Sequence, residues 1–358
     1  MDINNTALKL LPARVLFVNV TKRCNVDCPR CYLTPLNRNT RDSFSLDALT
    51  SVLAHPFFSN YDGPVLVIHQ GGEPQLLGFQ GLSPIVKTVE SVLPEARQTV
   101  VTNLFTAPAW FRDMAIEYFQ GRIETTWAAG RKQTLAGSEE RFQEMFRSSL
   151  QMCVSEGLSC PINVELNDDT FDLGPDHLID MMLETGAQTA EFDVSVDFAK
   201  FREAPKFAMG NAPILPPTIA YDKIASYVWE FRRQIHVRGL QERINSHSIL
   251  PLNQRGGDLP FNTRCENRFF TLNPNGDITT IPLYSDIEET YLGNVNTDGF
   301  SYCLNHANRQ ARIAYEVLRL GPCQGCEHLE LCQGGPSHAP VLDGSGECVG
   351  LKSVLSRL

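Results

Sequence analysis

The sequence predicts an α/β fold in which strands and helices alternate, followed by a small cysteine-containing C-terminal region. Apolar runs of strand length alternate about six times with longer amphipathic segments over residues 1–240, an order typical of parallel strands joined by crossover helices. This periodicity ends in residues 241–264, where Pro251, Pro260 and the pair Gly256 and Gly257 indicate a linker. Residues 265–358 are therefore predicted to form a second, smaller domain.

The predicted strands follow from apolar runs, and the predicted helices from apolar residues repeated at helical spacing. The first strand, residues 14–21, alternates its side chains in the strand sense. The other strands are predicted over residues 65–68, 99–102, 123–127, 162–166 and 191–196. Helices are predicted to begin at Ser45 and to cover residues 84–93, 109–119, 138–156, 177–184 and 221–235.

Two of these strands carry a polar face. This face indicates the chemistry of the interior that the strands enclose. The polar residues are Asn163, Glu165 and Asn167 in one strand, and Asp193, Ser195 and Asp197 in the other. If helices cover the outer face, that face must be apolar and the polar residues point inward. Closed barrels are lined with bulky aliphatic side chains, so a polar interior predicts an incomplete barrel with room for a polar ligand. In a one-sided sheet the same residues would face solvent.

Composition and charge exclude several classes of function. The 358 residues are 42% hydrophobic and 20% charged, as in ordinary globular proteins. No apolar run reaches the ~20 residues that span a bilayer, and the N-terminus lacks the pattern of an export signal. We therefore expect a cytoplasmic protein without a membrane partner. The formal net charge of −10 argues against a general nucleic-acid-binding surface.

Three cysteines follow the first predicted strand at the spacing C-x3-C-x2-C, namely Cys24, Cys28 and Cys31. Three thiolates can hold three irons of a [4Fe–4S] cluster and leave the fourth iron open to a ligand from outside the protein. Structural zinc normally takes four ligands, so the alternative is a zinc site completed by a distant residue. An odd total of 11 cysteines, without an export signal, disfavours a disulfide framework.

A second motif, Gly71-Gly72-Glu73-Pro74, follows the next predicted strand. Glycines allow close backbone approach and a carboxylate can accept from an amine, although the same residues are common in ordinary turns. Together with the cysteine triplet, the turn resembles the GGE motif of the radical S-adenosylmethionine (SAM) superfamily. The resemblance implies a partial (β/α)6 TIM-like barrel, a [4Fe–4S] cluster whose open iron chelates the amino and carboxylate groups of SAM, and a turn that holds the SAM amino group.

The same resemblance assigns further residues to the cofactor site and shows two departures. Asn103, at the end of the third strand, lies where relatives often have Thr-Asn-Gly, and Asn163 and Glu165 are candidates for binding the ribose hydroxyls. The family usually has an aromatic residue before the third cysteine, where this chain has Arg30. Many relatives also end the fourth strand in Ser-x-Asp-Gly, where this chain has Trp-Ala-Ala-Gly at residues 127–130.

A second cysteine group lies near the C-terminus and consists of Cys323, Cys326, Cys332 and Cys348. Four thiolates at this spacing suit either zinc or an iron–sulfur cluster. With the hairpin at residues 273–277 and the segment at residues 292–295, the group resembles the SPASM domain, which binds auxiliary clusters in many radical SAM enzymes. Two ligands of the family's first auxiliary cluster are replaced here, by Ile281 and Pro336, so the resemblance implies two [4Fe–4S] clusters in all.

Cys265 matches the SPASM pattern but has no evident metal partner in the sequence. A free cysteine is commonly a small buried hydrophobic residue. The alternative is catalytic: a thiol beside a substrate radical can donate a hydrogen atom, which makes the outcome an epimerisation. Cys303 is a weaker candidate for this role. Asp197, on the predicted inward face, is the candidate base for an oxidative reaction.

The resemblance therefore implies a radical SAM oxidoreductase, maturase or epimerase that cleaves SAM reductively and abstracts a hydrogen atom from an unactivated C–H bond. A ribosomally made peptide is the favoured substrate, because SPASM-like regions are commonest among peptide-modifying enzymes. Only about 13 residues precede the first strand, which argues against a fused leader-binding domain. The alternatives are a small-molecule substrate such as an amino sugar and a non-catalytic iron–sulfur or zinc scaffold. The reaction also implies an external electron donor such as flavodoxin or ferredoxin.

Overall fold

Strands and helices alternate along the chain, as the sequence predicts. The structure, a computed structural model, describes residues 13–28, 30–39, 43–133, 137–196, 198, 214, 217–245, 265–332, 334–335, 337–343, 346–348 and 352. The strands are β1 (Arg14–Thr21), β2 (Val26–Asp27), β3 (Val65–Gly71), β4 (Arg97–Thr102), β5 (Glu124–Trp127), β6 (Lys132–Gln133), β7 (Ile162–Leu166), β8 (Ala190–Val194), β9 (Phe269–Leu272), β10 (Asp277–Thr279) and β11 (Gly293–Asn294).

The helices lie between the strands and after the last of them. They are α1 (Leu46–Ala54), α2 (Pro56–Ser59), α3 (Gly78–Val92), α4 (Ala109–Tyr118), α5 (Glu139–Ser155), α6 (Asp168–Thr185), α7 (Tyr221–Val237), α8 (Cys265–Arg268), α9 (Phe300–Asn305), α10 (Ala307–Leu318) and α11 (Leu329–Cys332). Single turns of 3-10 helix cover Asn37–Asn39, Pro74–Leu77, Pro282–Tyr284, Glu288–Thr290 and Gly321–Cys323. Over the described residues, no helix is long and apolar enough to cross a membrane.

Nine strands form one sheet in the order β11-β10-β9-β1-β3-β4-β5-β7-β8. The six strands β1, β3, β4, β5, β7 and β8 pair in parallel along this order. Because helices separate them in the chain, they form the predicted succession of strand–helix units. In the described part of the chain the edge strands β8 and β11 are not paired with each other, so the barrel is partial rather than closed. The predicted fold class is thus confirmed.

The region after the predicted linker extends the same sheet. β9 pairs in parallel with β1, with Val15 opposite Phe269, and β10 and β11 follow in antiparallel order. The predicted linker, residues 241–264, lies outside the described residues from 246 onward, and the division into domains stays a prediction. The pairing places the C-terminal region beside the strand that leads into the three cysteines.

The two faces of β1 contribute to different cores. Leu16, Val18 and Val20 belong to the large core shared with the helices. The opposite face contributes Val15 to a smaller group, which we call the inner cluster and which consists of Val15, Val196, Phe198, Cys265, Phe269, Ile281, Tyr284 and Ile287. The inner cluster joins the barrel strands to the C-terminal region on the inward side of the sheet.

Two helices begin earlier than the sequence predicts. α3 begins at Gly78 and contains Pro84, which the prediction took as the first residue. α6 begins at Asp168 because the Asn167 side chain accepts a hydrogen bond from the Thr170 N–H (2.8 Å) and caps the helix. Gly174, with φ 73°, interrupts α6 before the predicted start at residue 177. Asn167 therefore follows the end of β7 and serves as the helix cap rather than as part of the strand's polar face.

Candidate metal and cofactor site

The first cysteine motif lies on a loop that leaves the carboxyl end of β1, and we call residues 22–34 the cysteine loop. The Cys24 N–H donates to the Arg38 carbonyl (3.1 Å), and the Cys31 N–H donates to the Cys28 carbonyl (3.3 Å). All three cysteines are half-buried. Burial and, second to it, the neighbouring Cys28 thiol raise the pKa of Cys24 and of Cys31 to about 12. The loop therefore brings three thiols into one shared environment.

Cationic side chains and N–H groups surround these sulfurs. Burial raises the pKa of the Cys28 thiol, and the nearby Arg131 and Arg38 guanidiniums oppose that rise. Backbone N–H groups two residues along the chain donate to the sulfurs of Cys24 and Cys31. Positive charge and N–H donors stabilise bound thiolates and adjust the potential of iron–sulfur clusters. Three sulfur donors in such surroundings fit a [4Fe–4S] cluster that keeps one iron open.

Arg131 is a residue that the sequence analysis missed. A two-stranded ladder pairs Val26 and Asp27, inside the cysteine loop, with Lys132 and Gln133, and so holds the preceding Arg131 against the loop. Its guanidinium is 6% exposed and donates to the backbone and hydroxyl oxygens of Thr126 (2.6 and 2.7 Å). Its second Nη lies 3.5 Å from the Glu165 carboxylate. A lone arginine carries no sequence signal of this placement, which depends on the ladder.

The two glycines of the GGE turn are required by the close approach of backbone. Gly71 has φ +127°, and a Cβ there would lie 2.2 Å from the Thr21 carbonyl oxygen. A Cβ on Gly72 would lie 1.9 Å from the Arg23 carbonyl oxygen. The Gly72 N–H donates to the Thr21 carbonyl at 2.7 Å. The turn therefore packs directly against the first residues of the cysteine loop, which only glycine permits.

The Glu73 carboxyl is buried beneath the cysteine loop. One oxygen accepts from the Gln75 N–H (3.1 Å) and the Thr102 hydroxyl (2.8 Å), and the other accepts from the Asn103 N–H (2.8 Å). Burial raises the pKa of Glu73 to about 7, although these hydrogen bonds oppose the rise. A carboxylate offers about four acceptor positions, so roughly one remains for a further donor. Glu73 both links β3 to β4 and keeps capacity for a ligand.

Asn103 also contacts the cysteine loop. Its amide nitrogen donates to the Asn25 side-chain oxygen (2.8 Å) and lies 3.7 Å from the Cys24 sulfur. Its side-chain oxygen accepts from the Phe105 N–H at 2.9 Å. The structure thus brings Asn103 together with the triplet and the GGE turn, where the sequence analysis expected it.

The predicted inward residues of β7 and β8 share one face of the sheet. Asn163 lies opposite Glu191 and Glu165 opposite Asp193 in the strand register. Glu165 accepts from the Ser195 hydroxyl at 3.0 Å and faces Arg131. Asp197, the candidate base, lies outside the described residues.

The interior has two walls of different chemistry. The wall formed by β5, β7 and β8 carries four carboxyls, which are Glu124, Glu165, Glu191 and Asp193. Two of them pair with guanidiniums, Glu124 with Arg122 (3.3 Å) and Glu165 with Arg131. The other wall is the apolar inner cluster, with Leu66 and Ile68 of β3 packed on it. A ligand held between the two walls would meet acidic groups on one side and hydrocarbon on the other.

Arg30, which replaces the family's aromatic residue, reaches across to the far strands. Its guanidinium donates to the hydroxyls of Ser195 (3.1 Å) and Thr218 (2.8 Å) and to the Asp168 carboxylate (2.9 Å). It therefore ties the cysteine loop to the ends of β8 and α6. The N–H groups of this guanidinium therefore have partners on the far strands.

The second cysteine group is also gathered in space. Burial is the main cause that raises the pKa of the Cys323 thiol, followed by the nearby Cys348 and Cys326 thiols. Burial raises the pKa of Cys332 too, against hydrogen bonds that its sulfur accepts from two backbone N–H groups. Four sulfurs with N–H donors suit a cluster by their chemistry. Among the described residues, no three His, Cys, Asp or Glu side chains converge closely enough to hold a single metal ion.

Cys265 lies apart from both cysteine groups. It is 3% exposed and belongs to the inner cluster together with Ile281, the residue that replaces a family ligand. Burial, and then the Glu316 and Glu266 carboxyls, raise the pKa of the Cys265 thiol well above its usual value. In this setting Cys265 is a neutral thiol that packs in the inner cluster and lies near two buried carboxyls. Cys303 is buried in the large core instead.

Solved structures share this fold over almost the whole chain. The structure of anSMEcpe with bound AdoMet, an anaerobic sulfatase-maturating enzyme, aligns with 97% of this chain and 92% of its own length, at 16% identity and a TM-score of 0.66. The same enzyme with AdoMet and the Cp18Cys peptide aligns with a TM-score of 0.64 at 14% identity, over 97% of this chain and 95% of its own.

A further similar structure is that of SuiB from Streptococcus suis bound to the precursor peptide SuiA. It aligns over 94% of this chain and 76% of its own length, at 14% identity and a TM-score of 0.60. No protein-family model and no curated protein matches the sequence. The chain therefore has the fold of radical SAM enzymes with a SPASM-like C-terminal region, the resemblance that its cysteine and GGE motifs predict.

Proposed function

We propose that the chain is a radical SAM enzyme whose first [4Fe–4S] cluster is held by Cys24, Cys28 and Cys31. The observation that supports this most is that the three thiols, the GGE turn and a buried guanidinium meet at the carboxyl end of the parallel strands. Parallel α/β sheets bind ligands at this end. When bound, the cluster and SAM supply a carbon radical able to abstract a hydrogen atom from an unactivated C–H bond.

The described residues offer complementary partners for the amino, carboxylate and ribose groups of SAM. Glu73 has remaining acceptor capacity for the amino group, in a turn shaped by Gly71 and Gly72. Arg131, a buried cation already paired with Glu165, is the residue that we assign to the carboxylate. For the ribose hydroxyls we assign Asn163 and Glu165 on the inward face of β7, with Asn103 fixing the loop beside them. These assignments follow from charge, burial and placement.

The second cysteine group is proposed to hold a second [4Fe–4S] cluster through Cys323, Cys326, Cys332 and Cys348. Two observations support this second cluster. The Cys348 and Cys326 thiols lie near enough to raise the pKa of Cys323, and two backbone N–H groups donate to the Cys332 sulfur. Anaerobic reconstitution should then yield roughly eight irons per chain, four for each cluster. A yield of about four irons with one zinc would contradict the second cluster.

Cys265 and Asp197 are the proposed residues that decide the fate of a substrate radical. Cys265 is a protonated thiol on the inward side, which suits hydrogen-atom donation and hence epimerisation. If Cys265→Ala leaves turnover and solvent-deuterium incorporation unchanged, the donor role is wrong. Asp197 would serve as the base of an oxidative outcome, and Asp197→Asn should then lower the rate of turnover without altering SAM binding.

The favoured substrate is a ribosomally made peptide, which the enzyme would crosslink or epimerise. Two of the similar structures carry peptides, one the Cp18Cys peptide and the other the precursor SuiA. The interior of this chain, acidic on one wall and apolar on the other, suits a segment that combines a basic and an apolar side chain. A small amine such as an amino sugar is the second candidate, because the acidic wall would accept it too.

The two candidates can be separated with the reconstituted enzyme, dithionite as reductant and SAM. A peptide enzyme should form 5′-deoxyadenosine faster when peptides encoded by adjacent small open reading frames are added, and should bind them measurably. Stimulation by amino sugars alone, with none by such peptides, would replace the first candidate with the second. In the cell a flavodoxin or ferredoxin is the proposed electron donor.

A further inference from the structure

We infer that Asp286, in the C-terminal region, is a positioning residue that fixes the cysteine loop before any cluster binds. The inference rests on the proposed role of that loop as a cluster site. Asp286 belongs to neither cysteine motif nor the GGE turn, and no sequence motif includes it. Its function would make the C-terminal region part of the first metal site.

The carboxylate of Asp286 contacts both ends of the cysteine loop. One oxygen lies 3.0 Å from the Lys22 ammonium, two residues before Cys24. The other accepts a hydrogen bond of 2.6 Å from the Thr34 N–H, three residues after Cys31. The Asp286 side chain is 0% exposed and that of Lys22 12%, so solvent does not screen the pair. A single buried carboxylate therefore closes the loop that carries the triplet.

Asp286 is itself held in place by a buried network with β1. The amide nitrogen of Asn19 donates to the Ser285 hydroxyl (2.8 Å) and to the Asn273 side-chain oxygen (2.9 Å). The Ser285 carbonyl accepts from the Tyr291 hydroxyl (2.6 Å) and the Lys22 ammonium (3.2 Å). Asn19, Asn273 and Ser285 are each 0% exposed. The carboxylate is thus preorganised by β1 and the C-terminal region together.

This arrangement has a specific consequence for metal binding. Three cysteines on a loop bind a cluster tightly only if the loop already holds the binding conformation, because otherwise its ordering costs free energy at the moment of binding. Removing Asp286 leaves the Lys22 ammonium buried without a carboxylate and the Thr34 N–H without its acceptor. Hydrogen bonds to charged groups are worth enough to change an opening equilibrium by roughly tenfold or more.

The first test uses hydrogen exchange in the metal-free protein. Asp286→Ala should raise the exchange rate of residues 22–34 by roughly tenfold, while β4, β5 and β7 keep their protection. Asp286→Asn, which keeps the volume and one acceptor oxygen, should give a smaller rise. The control is Asp298→Asn, since Asp298 lies in the same region and accepts from the Asn294 N–H (2.8 Å) without contacting the loop.

The second measurement uses EPR spectroscopy of the reduced, reconstituted protein. It follows the signal that changes when SAM is added. In Asp286→Ala the intensity of this signal should fall, and the fall should follow the rise in the exchange rate of the loop. Asp298→Asn should keep the full intensity. Unchanged exchange of residues 22–34 in both Asp286 variants would overturn the inference, as would a rise spread evenly over the whole chain. If the unmodified protein lacks the signal but Asp286→Ala still loosens the loop, the proposed function fails and the positioning role stands.

Discussion

At the scale of single residues, the GGE turn illustrates how one motif serves two purposes. In the sequence its glycines predict close approach of the backbone to a ligand, and in the structure they are needed first for contact with the cysteine loop. The Glu73 carboxylate likewise accepts hydrogen bonds from Thr102 and Asn103, at the end of β4, while it lies beside the proposed cofactor site. The motif is therefore as much a support for the loop as a ligand-binding turn.

Gly72→Ala should disrupt the first site through this contact. A Cβ 1.9 Å from the Arg23 carbonyl cannot be accommodated without moving the cysteine loop. We expect a loss of about 1–3 kcal/mol in the free energy of unfolding, and loss of the iron bound by the triplet. Denaturant unfolding and iron analysis after reconstitution check this. Gly321→Ala is the control, because a Cβ there meets nothing within 4 Å, and equal losses in both variants would contradict the explanation.

A pH dependence follows from Glu191 on the acidic wall. Burial, and then the Glu124 carboxyl, raise the pKa of Glu191 to about 7 from an ordinary value of 4.5. Between these values the folded protein binds more protons than the unfolded one, so the free energy of unfolding falls as pH rises from about 4.5 to 7. Glu191→Gln should flatten that fall. Urea titrations across this window test it, with the exposed Glu95→Gln as control, and an unaltered slope would contradict it.

At the scale of secondary structure, local patterns predicted the ends of the six parallel strands to within three residues. The start of α6 could have been found, since Asn167 is followed by two acidic residues, the usual signature of a capped helix. Gly174 and Pro175 obscured this start, because the two residues together are typical of a helix end. The pairing of β9 with β1 could not be predicted, since it joins residues some 250 positions apart and no local pattern encodes such contacts.

Asn167→Ala tests the cap of α6. The side chain accepts from the Thr170 N–H and donates to the Ala129 carbonyl at 3.1 Å, so its loss leaves two buried backbone groups unpaired. We expect the variant to be about 1–2 kcal/mol less stable to urea. Asn167→Asp, which keeps the capping oxygen, should recover part of this difference. A variant as stable as the parent protein would show that the cap does not matter.

Cys326→Ser tests the second cysteine group as a unit. If the four thiols hold one cluster, the variant should bind about four fewer irons while retaining the SAM-sensitive signal of the first cluster. Cys303→Ser is the matched control, because Cys303 is buried in the large core and is none of the proposed ligands, so its loss should leave the iron content unchanged. An unchanged iron content in Cys326→Ser would exclude the second cluster.

At the scale of the whole molecule, the candidate site depends on contacts between distant parts of the chain. The triplet and the GGE turn were recognisable in the sequence, because each is a short motif with fixed spacing. Arg131 and Asp286 were not, since a ladder places one and the paired C-terminal region places the other. The acidic face of β5, β7 and β8 and the inner cluster are likewise each assembled from segments far apart in the chain.

The central claim is that the cysteine loop holds a cluster with one iron left open for SAM. It is tested most directly by incubating the anaerobically reconstituted protein with dithionite and SAM and measuring 5′-deoxyadenosine and methionine. We predict that both form in equal amounts, and that Cys28→Ser forms neither while Cys303→Ser matches the parent protein. A fully reconstituted, reduced protein that leaves SAM intact, or a Cys28→Ser variant that cleaves it as well, would contradict the account.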